Sequence, residues 1–129
     1  MPAAASVKVM VIDDQQTMRS LVRNGLREIG MTDIREASDG EDGLRQLLGS
    51  PVNLVISDYN MPKLDGLNLL RAVRAAPQLK SIGFIMLTGR ADGDLVKRAV
   101  QFGVNNYLVK PFTVATLRQK IEDVYGPLT

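Results

Sequence analysis

Cysteine and histidine are both absent from this chain of 129 residues. Without cysteine there are no disulfide bonds and no thiolate metal sites. Without histidine there is no imidazole catalysis and none of the usual zinc ligand sets. Any chemistry of this protein must therefore rely on carboxylates, lysine, threonine, tyrosine or backbone groups.

Long apolar runs are missing as well. Fully apolar stretches such as residues 9–12 and 84–87 are four residues long, whereas a membrane span needs roughly 20. Residues 1–6 contain neither the basic region nor the apolar core of a secretory signal. We therefore expect a cytoplasmic protein without a membrane-inserted segment.

Neither sign of charge dominates, since 16 lysine and arginine residues stand against 14 acidic residues, for a net charge of +2. This balance does not indicate nucleic-acid binding, although the isoelectric point is near 9.1. Arg19, Arg23 and Arg27 recur at every fourth position and would lie on one helix face. This stripe is either a solvated face, which we favour, or an anion-binding surface.

Two patterns of apolar residues alternate along the chain. Short β-branched runs predict strands, and apolar residues spaced three and four apart predict the helices between them. The predicted strands are residues 7–12, 33–37, 52–57, 82–87 and 106–109. The predicted helices are residues 18–29, stopped by Gly30, then 40–48, 65–75 and 92–102, and a last helix that Thr113 caps and that ends near Tyr125.

Five strand–helix units predict an α/β fold of the (βα)5 type. We expect a five-stranded parallel sheet in the flavodoxin-like order 2-1-3-4-5, with helices on both faces. The apolar content of 45% and the length suit one globular domain. We expect a single domain over residues 1–129, a monomer with no output domain and no DNA-binding segment.

Polar side chains follow four of the predicted strands. Asp13 and Asp14 follow the first strand, Asp58 the third, Thr88 the fourth and Lys110 the fifth. Ligands of such sheets bind at the carboxyl edge, where the strand order reverses. Each residue alone has another explanation, because the aspartates and the threonine suit turns or helix caps and a lone lysine is usually a solvated charge.

Together these residues predict a cation site. Three clustered carboxylates repel one another, and one lysine cannot offset their charge. Carboxylate and carbonyl oxygens suit Mg²⁺. A carboxylate beside Mg²⁺ can accept a phosphoryl group, and Asp58, alone on the central strand, is the better nucleophile. Asp13 and Asp14 are the better metal holders, while Lys110 and Thr88 can contact phosphoryl oxygens.

The chain resembles the receiver domain of two-component response regulators over essentially its whole length. The segments that carry the resemblance are residues 11–14, 57–62, 65–66, 88–89 and 110–112. It implies that a histidine kinase phosphorylates Asp58, and that Thr88 and Lys110 contact the phosphoryl group. It also implies that Asp14, Asp58 and the Asn60 backbone carbonyl bind Mg²⁺ directly, that Asp13 assists through water, and that the Lys110–Pro111 peptide bond is cis.

The chain is similar, more narrowly, to chemotaxis regulators that consist of a receiver domain alone. The segments that carry this similarity are residues 17–19, 39–40, 55–62 and 110–113. The resemblance implies a chemotaxis kinase as phosphodonor and a flagellar motor switch protein as partner. The docking face would comprise the fourth helix, fifth strand and fifth helix, with Tyr107 as the switch residue. Its implied residues are Ala91, Val96, Val100, Tyr107, Val109 and Lys120. The alternative is that Val96, Val100 and Tyr107 merely complete the core.

Position 90 departs from the family, because Arg90 stands where well-known relatives have an acidic residue. The resemblance places Arg90 and Asn60 beside the path by which water reaches the phosphoryl group. Arg90 either covers the phosphoryl oxygens and prolongs the lifetime of the aspartyl phosphate, or lies in solvent or on a partner's docking surface.

Other functions fit less well. A magnesium-dependent phosphohydrolase would need a second acid where this chain has Asn60. A flavin carrier would need a hydroxyl- and glycine-rich loop where Asp13 and Asp14 stand. A receiver that binds a nucleotide through the helix-one arginines stays possible. Also open is whether this regulator acts on the motor, drains phosphoryl groups from a shared kinase, or serves a pathway outside chemotaxis. The sequence therefore predicts a signalling protein and not an enzyme with a separate substrate.

Overall fold

The computed structural model describes residues 3–89 and 93–129. Within them, five parallel strands form one sheet in the order β2-β1-β3-β4-β5. The strands are β1 (Lys8–Ile12), β2 (Asp33–Ala37), β3 (Leu54–Asp58), β4 (Gly83–Thr88) and β5 (Asn106–Val109). The α-helices are α1 (Gln16–Ile29), α2 (Gly40–Gly49), α3 (Gly66–Ala75), α4 (Gly93–Gln101) and α5 (Val114–Tyr125). The predicted fold and strand order are confirmed.

Apolar residues on both sides of the sheet explain why β3 and β4 are buried along their whole length and β1 is buried from Val9 onwards. In β1, Val9 and Val11 face the core formed with α1 and α5, while Met10 and Ile12 face the core formed with α2, α3 and α4. Side chains alternate across a strand, so a run that is apolar at every position can only be buried with helices on both faces.

Among the described residues, no helix is both long and apolar enough to span a bilayer.

Local signals end α1 and begin α5 where the sequence predicts. Gly30 adopts a left-handed conformation with φ of 108° at the end of α1. The Thr113 hydroxyl accepts a hydrogen bond from the Thr116 N–H, which caps α5. Three strands begin later than predicted: β1 at Lys8 instead of residue 7, β3 at Leu54 instead of residue 52, and β4 at Gly83 instead of residue 82; β3 and β4 also end one residue later than predicted. The Asn53 side chain accepts from the Lys8 N–H, a bond outside the regular strand ladder.

Arg74 connects three segments at the edge of the sheet opposite the carboxyl ends of the strands. Its guanidinium donates from Nε to the Gly103 carbonyl at 2.9 Å and from Nη1 to the carbonyls of Lys80 and Ile82 at 3.0 and 2.6 Å. Nη2 donates to Oδ1 of Asn105 at 2.9 Å. One side chain at the end of α3 thus holds the loops that lead into β4 and β5.

Candidate functional site

Three carboxylates meet at the carboxyl ends of β1 and β3. Asp13 and Asp14 follow β1, Asp58 is the last residue of β3, and these strands are neighbours in the sheet. Carboxylate oxygens of the three residues lie within 4.8 Å of one another. Asp13 is 1% exposed and Asp58 is 5% exposed, while Asp14 is exposed to solvent. The sheet topology therefore brings together the acidic residues that the sequence singles out.

Lys110 supplies one positive charge to this cluster. Its Nζ lies 3.0 Å from Oδ1 of Asp58 and 4.0 Å from Oδ2 of Asp13. Its side chain is 19% exposed, so this charge is only partly screened by water. Among the residues that the structure describes, one ammonium faces three carboxylates, an excess of negative charge that favours a cation.

Asp13 shows most clearly the unfavourable effect of burying carboxylates close together. Its Oδ1 accepts a hydrogen bond from the Gln15 N–H at 2.9 Å, while its buried Oδ2 has no hydrogen-bond partner within residues 3–89 and 93–129. Burial raises the pKa of Asp13 to about 6, and the charges of Asp58 and Asp14 add to the rise, against the Gln15 N–H and Lys110. An unpartnered buried carboxylate oxygen beside two further carboxylates fits a hydrated hard cation, whose water could donate to it.

A cleft of about 440 Å³ opens above the carboxylates. Residues from four segments line it, among them Asp14, Asp58, Asn60, Thr88, Gly89 and Lys110. Thr88 is the last residue of β4 and is 5% exposed, whereas Asn60 lies exposed in the loop after β3. The cleft can therefore admit a small anionic group to Asp58, with Thr88 and Lys110 along its wall.

Hydrogen bonds between backbone groups hold the loops around this cleft. The Lys110 N–H donates to the Thr88 carbonyl at 2.7 Å, and the Tyr59 N–H donates to the Leu87 carbonyl at 2.9 Å. Gly66 has no room for a side chain, because an added Cβ would stand 2.4 Å from the carbonyl oxygen of Asp58. The Lys110–Pro111 peptide bond is cis, so that expectation is confirmed.

The face formed by α4, β5 and α5 carries the residues assigned to partner docking. Val100 is 62% exposed, so it does not complete the core, while Val96 and Val109 are half-buried. Tyr107 is partly buried and packs against the core, and the Nζ of Lys120 lies 4.6 Å from the centre of its ring. Ala91 and Arg90 lie outside the described residues.

Strand pairing connects this face to the cleft. In the β4–β5 register, Thr88 pairs with Val109 and Met86 pairs with Tyr107. Side chains two apart on a strand, and those paired across parallel strands, share one face of the sheet. Thr88 and Tyr107 therefore lie on the same face of the sheet, on neighbouring strands and two positions apart in the register.

Two arginines of the α1 stripe have a role that the sequence analysis missed. Arg19 Nε and Arg23 Nη1 lie 3.3 and 3.0 Å from the carboxylate oxygens of Glu36, at the end of β2. Arg27 is exposed, but for Arg19 and Arg23 the favoured interpretation of a solvated face is wrong. The only signal in the sequence was Glu36 near the carboxyl end of a strand predicted to lie beside β1.

Comparison with known proteins gives consistent results. The family model described as the response regulator receiver domain matches residues 9–122. The chain is similar to a probable chemotaxis protein CheY of Rhizobium etli, with 46% identity over 128 residues and 99% of each chain covered. It is also similar to the structure of chemotaxis protein CheY4 of Vibrio cholerae, with a TM-score of 0.85, 30% identity, and 92% of this chain and 98% of that chain covered.

A further similar structure was solved with a metal. It is the receiver domain of a sensor histidine kinase from Pseudomonas aeruginosa, with a magnesium ion coordinated in its active site cleft. The match has a TM-score of 0.84 and 25% identity, and it covers 94% of this chain and 98% of that chain.

Proposed function

The chain belongs to the response regulator receiver domain family, and on this premise we propose that Asp58 accepts a phosphoryl group from a histidine kinase. The observation that carries the proposal is the nearly buried Asp58 carboxylate, which lies within a carboxylate cluster, below an open cleft and 3.0 Å from Lys110. A receiver domain is a signalling module and not a conventional enzyme.

The residues present fit Mg²⁺ as the metal. Asp14, Asp58 and the Asn60 backbone carbonyl would hold it, with Asp13 acting through a metal-bound water. The receiver from Pseudomonas aeruginosa with magnesium in its cleft supports this assignment. The ion offsets the repulsion between a carboxylate nucleophile and an anionic donor.

The transfer itself involves one bond made and one bond broken. An oxygen of Asp58 attacks the phosphorus, and the bond from phosphorus to the kinase histidine nitrogen breaks, so that the nitrogen leaves with the electron pair. Lys110 then pairs with one phosphoryl oxygen and the Thr88 hydroxyl donates to another. Water later hydrolyses the acyl phosphate, and Asn60 flanks its path in this proposal; Arg90, which the family resemblance puts beside the same path, lies outside the described residues.

We extend the proposal to chemotaxis because the relatives from Rhizobium etli and Vibrio cholerae carry chemotaxis names. A cytoplasmic monomer would respond to phosphorylation when Thr88 shifts towards the phosphoryl oxygen and Tyr107 turns inward. The face that docks on a flagellar motor switch protein would then be formed by Ala91, Val96, Val100, Tyr107, Val109 and Lys120.

Labelling with a small phosphodonor tests the phosphoacceptor. In Mg²⁺ and acetyl phosphate, the wild-type chain should gain the mass of one phosphoryl group, and Asp58→Asn should gain none. Asp33→Asn is the matched control, because it removes an exposed carboxylate at the start of β2. Equal labelling of Asp58→Asn and wild type would overturn the assignment of Asp58.

A binding experiment tests the partner. Beryllofluoride, a mimic of the acyl phosphate, should increase retention of the wild-type chain on an immobilised flagellar motor switch protein. Val100→Asp should abolish the increase while phosphorylation by acetyl phosphate persists. Phosphorylation without any switch-protein binding would favour a phosphate sink, or a regulator outside chemotaxis.

A further inference from the structure

Arg19 connects the acidic cluster to the neighbouring strand. Its Nη1 donates to the backbone carbonyl of Asp13 at 2.6 Å, and its Nε lies 3.3 Å from Oε1 of Glu36. Its side chain is only 16% exposed. A guanidinium has a planar set of donors, so one arginine can bind a carbonyl and a carboxylate at the same time.

Glu36 is a fixed anchor for this arginine. It pairs with Val11 in the β1–β2 ladder, which places its backbone in the sheet. Its second carboxylate oxygen, Oε2, accepts from Arg23 Nη1 at 3.0 Å, so Arg19 and Arg23 of α1 share one carboxylate. The position of the Arg19 guanidinium is therefore set by the sheet and by α1 together.

The carbonyl that Arg19 holds belongs to the peptide group between Asp13 and Asp14. Because a peptide group is planar, fixing its oxygen fixes the direction of the Asp14 N–Cα bond. On the other side of Asp13, its N–H donates to the Ala37 carbonyl at 3.2 Å. The backbone that presents two carboxylates to the cleft is thus held at both ends by contacts from β2 or from Arg19.

We infer that Arg19 is a positioning residue for the cation site: its guanidinium, anchored by Glu36, orients the Asp13–Asp14 peptide so that both carboxylates face one ion. This inference rests on the proposed function, because it assumes that the cluster binds Mg²⁺. Nothing in it requires Arg19 to touch the ion.

The positive charge of Arg19 and its orienting role should have opposite effects on the affinity for a cation. The direction in which the affinity changes when Arg19 is replaced therefore tests the inference. Removing a positive charge near a cation site should by itself tighten cation binding. Losing the orientation of the carboxylates should weaken it, and outer residues that orient metal ligands are commonly worth about tenfold in affinity. Arg19→Gln therefore separates positioning from electrostatics.

The experiment is calorimetric titration of the full chain with MgCl₂, without any phosphodonor. We expect Arg19→Gln to bind Mg²⁺ about tenfold more weakly than wild type. Arg27→Gln removes an equal charge from an exposed position of the same helix, and its affinity should equal that of wild type or be slightly tighter. An Arg19→Gln affinity equal to or tighter than wild type would overturn the inference.

Arg19→Lys keeps the charge but offers a single ammonium, which cannot bridge the carbonyl and the carboxylate as a guanidinium does. We expect it to remain at least about threefold weaker than wild type. Full affinity in this variant would show that a point charge suffices, which would overturn the bridging role. This variant also serves if Arg19→Gln does not fold.

A measurement without metal adds an independent readout. The amide resonances of Asp14 and Gln15 should shift in metal-free Arg19→Gln and stay in place in Arg27→Gln. Unchanged resonances in Arg19→Gln would contradict the inference. Failure of the proposed function would look different, because wild type itself would then bind no Mg²⁺ and accept no phosphoryl group.

Discussion

The ammonium of Lys110 lies 3.0 Å from Oδ1 of Asp58, closer than its distance of 4.0 Å to Oδ2 of Asp13. This places the charge beside the proposed nucleophile and leaves Asp13 Oδ2 without a hydrogen-bond partner in the described part of the chain. Lys110 thus partly neutralises Asp58 before any phosphoryl group arrives. The same ammonium stands where a phosphoryl oxygen on Asp58 could accept from it.

Lys110→Ala should separate metal binding from the response to phosphorylation. Mg²⁺ affinity, measured by calorimetry, should stay equal to wild type or increase, because the variant loses a positive charge and no metal ligand. The spectral change that beryllofluoride causes at Tyr107 should become smaller, because a contact to the mimic is gone. Lys97→Ala, at an exposed position of α4, is the control and should behave as wild type. Loss of Mg²⁺ affinity in Lys110→Ala would contradict the assigned role.

Asp13 should make the stability of the metal-free protein fall as pH rises. Its pKa is about 6 in the folded protein and ordinarily 3.8, so between these values the folded state binds more protons than the unfolded state. The contribution of Asp13 to the free energy of unfolding is therefore largest below about pH 4, falls by at most about 3 kcal/mol as pH rises from about 4 through 6, and is nearly constant above that range. Urea unfolding in the presence of a chelator, at several pH values, measures this change.

Asp13→Asn is the comparison for that pH series. The asparagine does not titrate, so the difference in stability between the variant and wild type should grow in favour of the variant from pH 4 to pH 7. Parallel pH profiles for the two proteins would contradict the raised pKa of Asp13.

Arg74→Met should lower the stability of the fold without changing the cleft. The variant leaves the carbonyls of Lys80, Ile82 and Gly103 and the Asn105 amide oxygen without this donor. An acceptor left unpaired costs about 1–3 kcal/mol, and partial exposure limits the total, so we expect a loss of about 2–3 kcal/mol in urea unfolding.

Arg71→Met is the matched control on the same helix. Arg71 is exposed and lies 5.0 Å from the centre of the Phe102 ring, a contact worth about 0.5–1 kcal/mol. Equal losses in the two variants would show that the four hydrogen bonds of Arg74 contribute little. Mg²⁺ affinity should be unchanged in both.

Lys120→Met should release the ring of Tyr107. The ammonium lies 4.6 Å from the ring centre, and loss of this cation–π contact should shift the aromatic resonances of Tyr107 and cost about 0.5–1 kcal/mol of stability. Arg118→Met, on the exposed side of α5, should leave these resonances in place. Unchanged Tyr107 resonances in Lys120→Met would show that the contact does not hold the ring.

Local rules predicted much of this fold. The continuous apolar run in β1 and the stop at Gly30 depend on neighbouring residues, and the parallel sheet follows from the alternation of strands and helices. Because parallel strands end at one edge, the order of the chain already brings Asp58, Thr88 and Lys110 together. The site residues were therefore predictable as a set, even though their distances were not.

Strand period and strand direction are properties of the chain, and they were enough to identify the residues that reach the carboxyl edge of the sheet. Three-dimensional packing buries Asp13 while Asp14 stays exposed, and it brings Lys110 closer to Asp58 than to Asp13. It alone paired Arg19 with Glu36, and Arg74 with Asn105, 31 positions away along the chain. The physical reason is that these contacts depend on how helices pack against strands, and a periodic pattern specifies the buried face of a helix but not which distant residue its polar side chains meet.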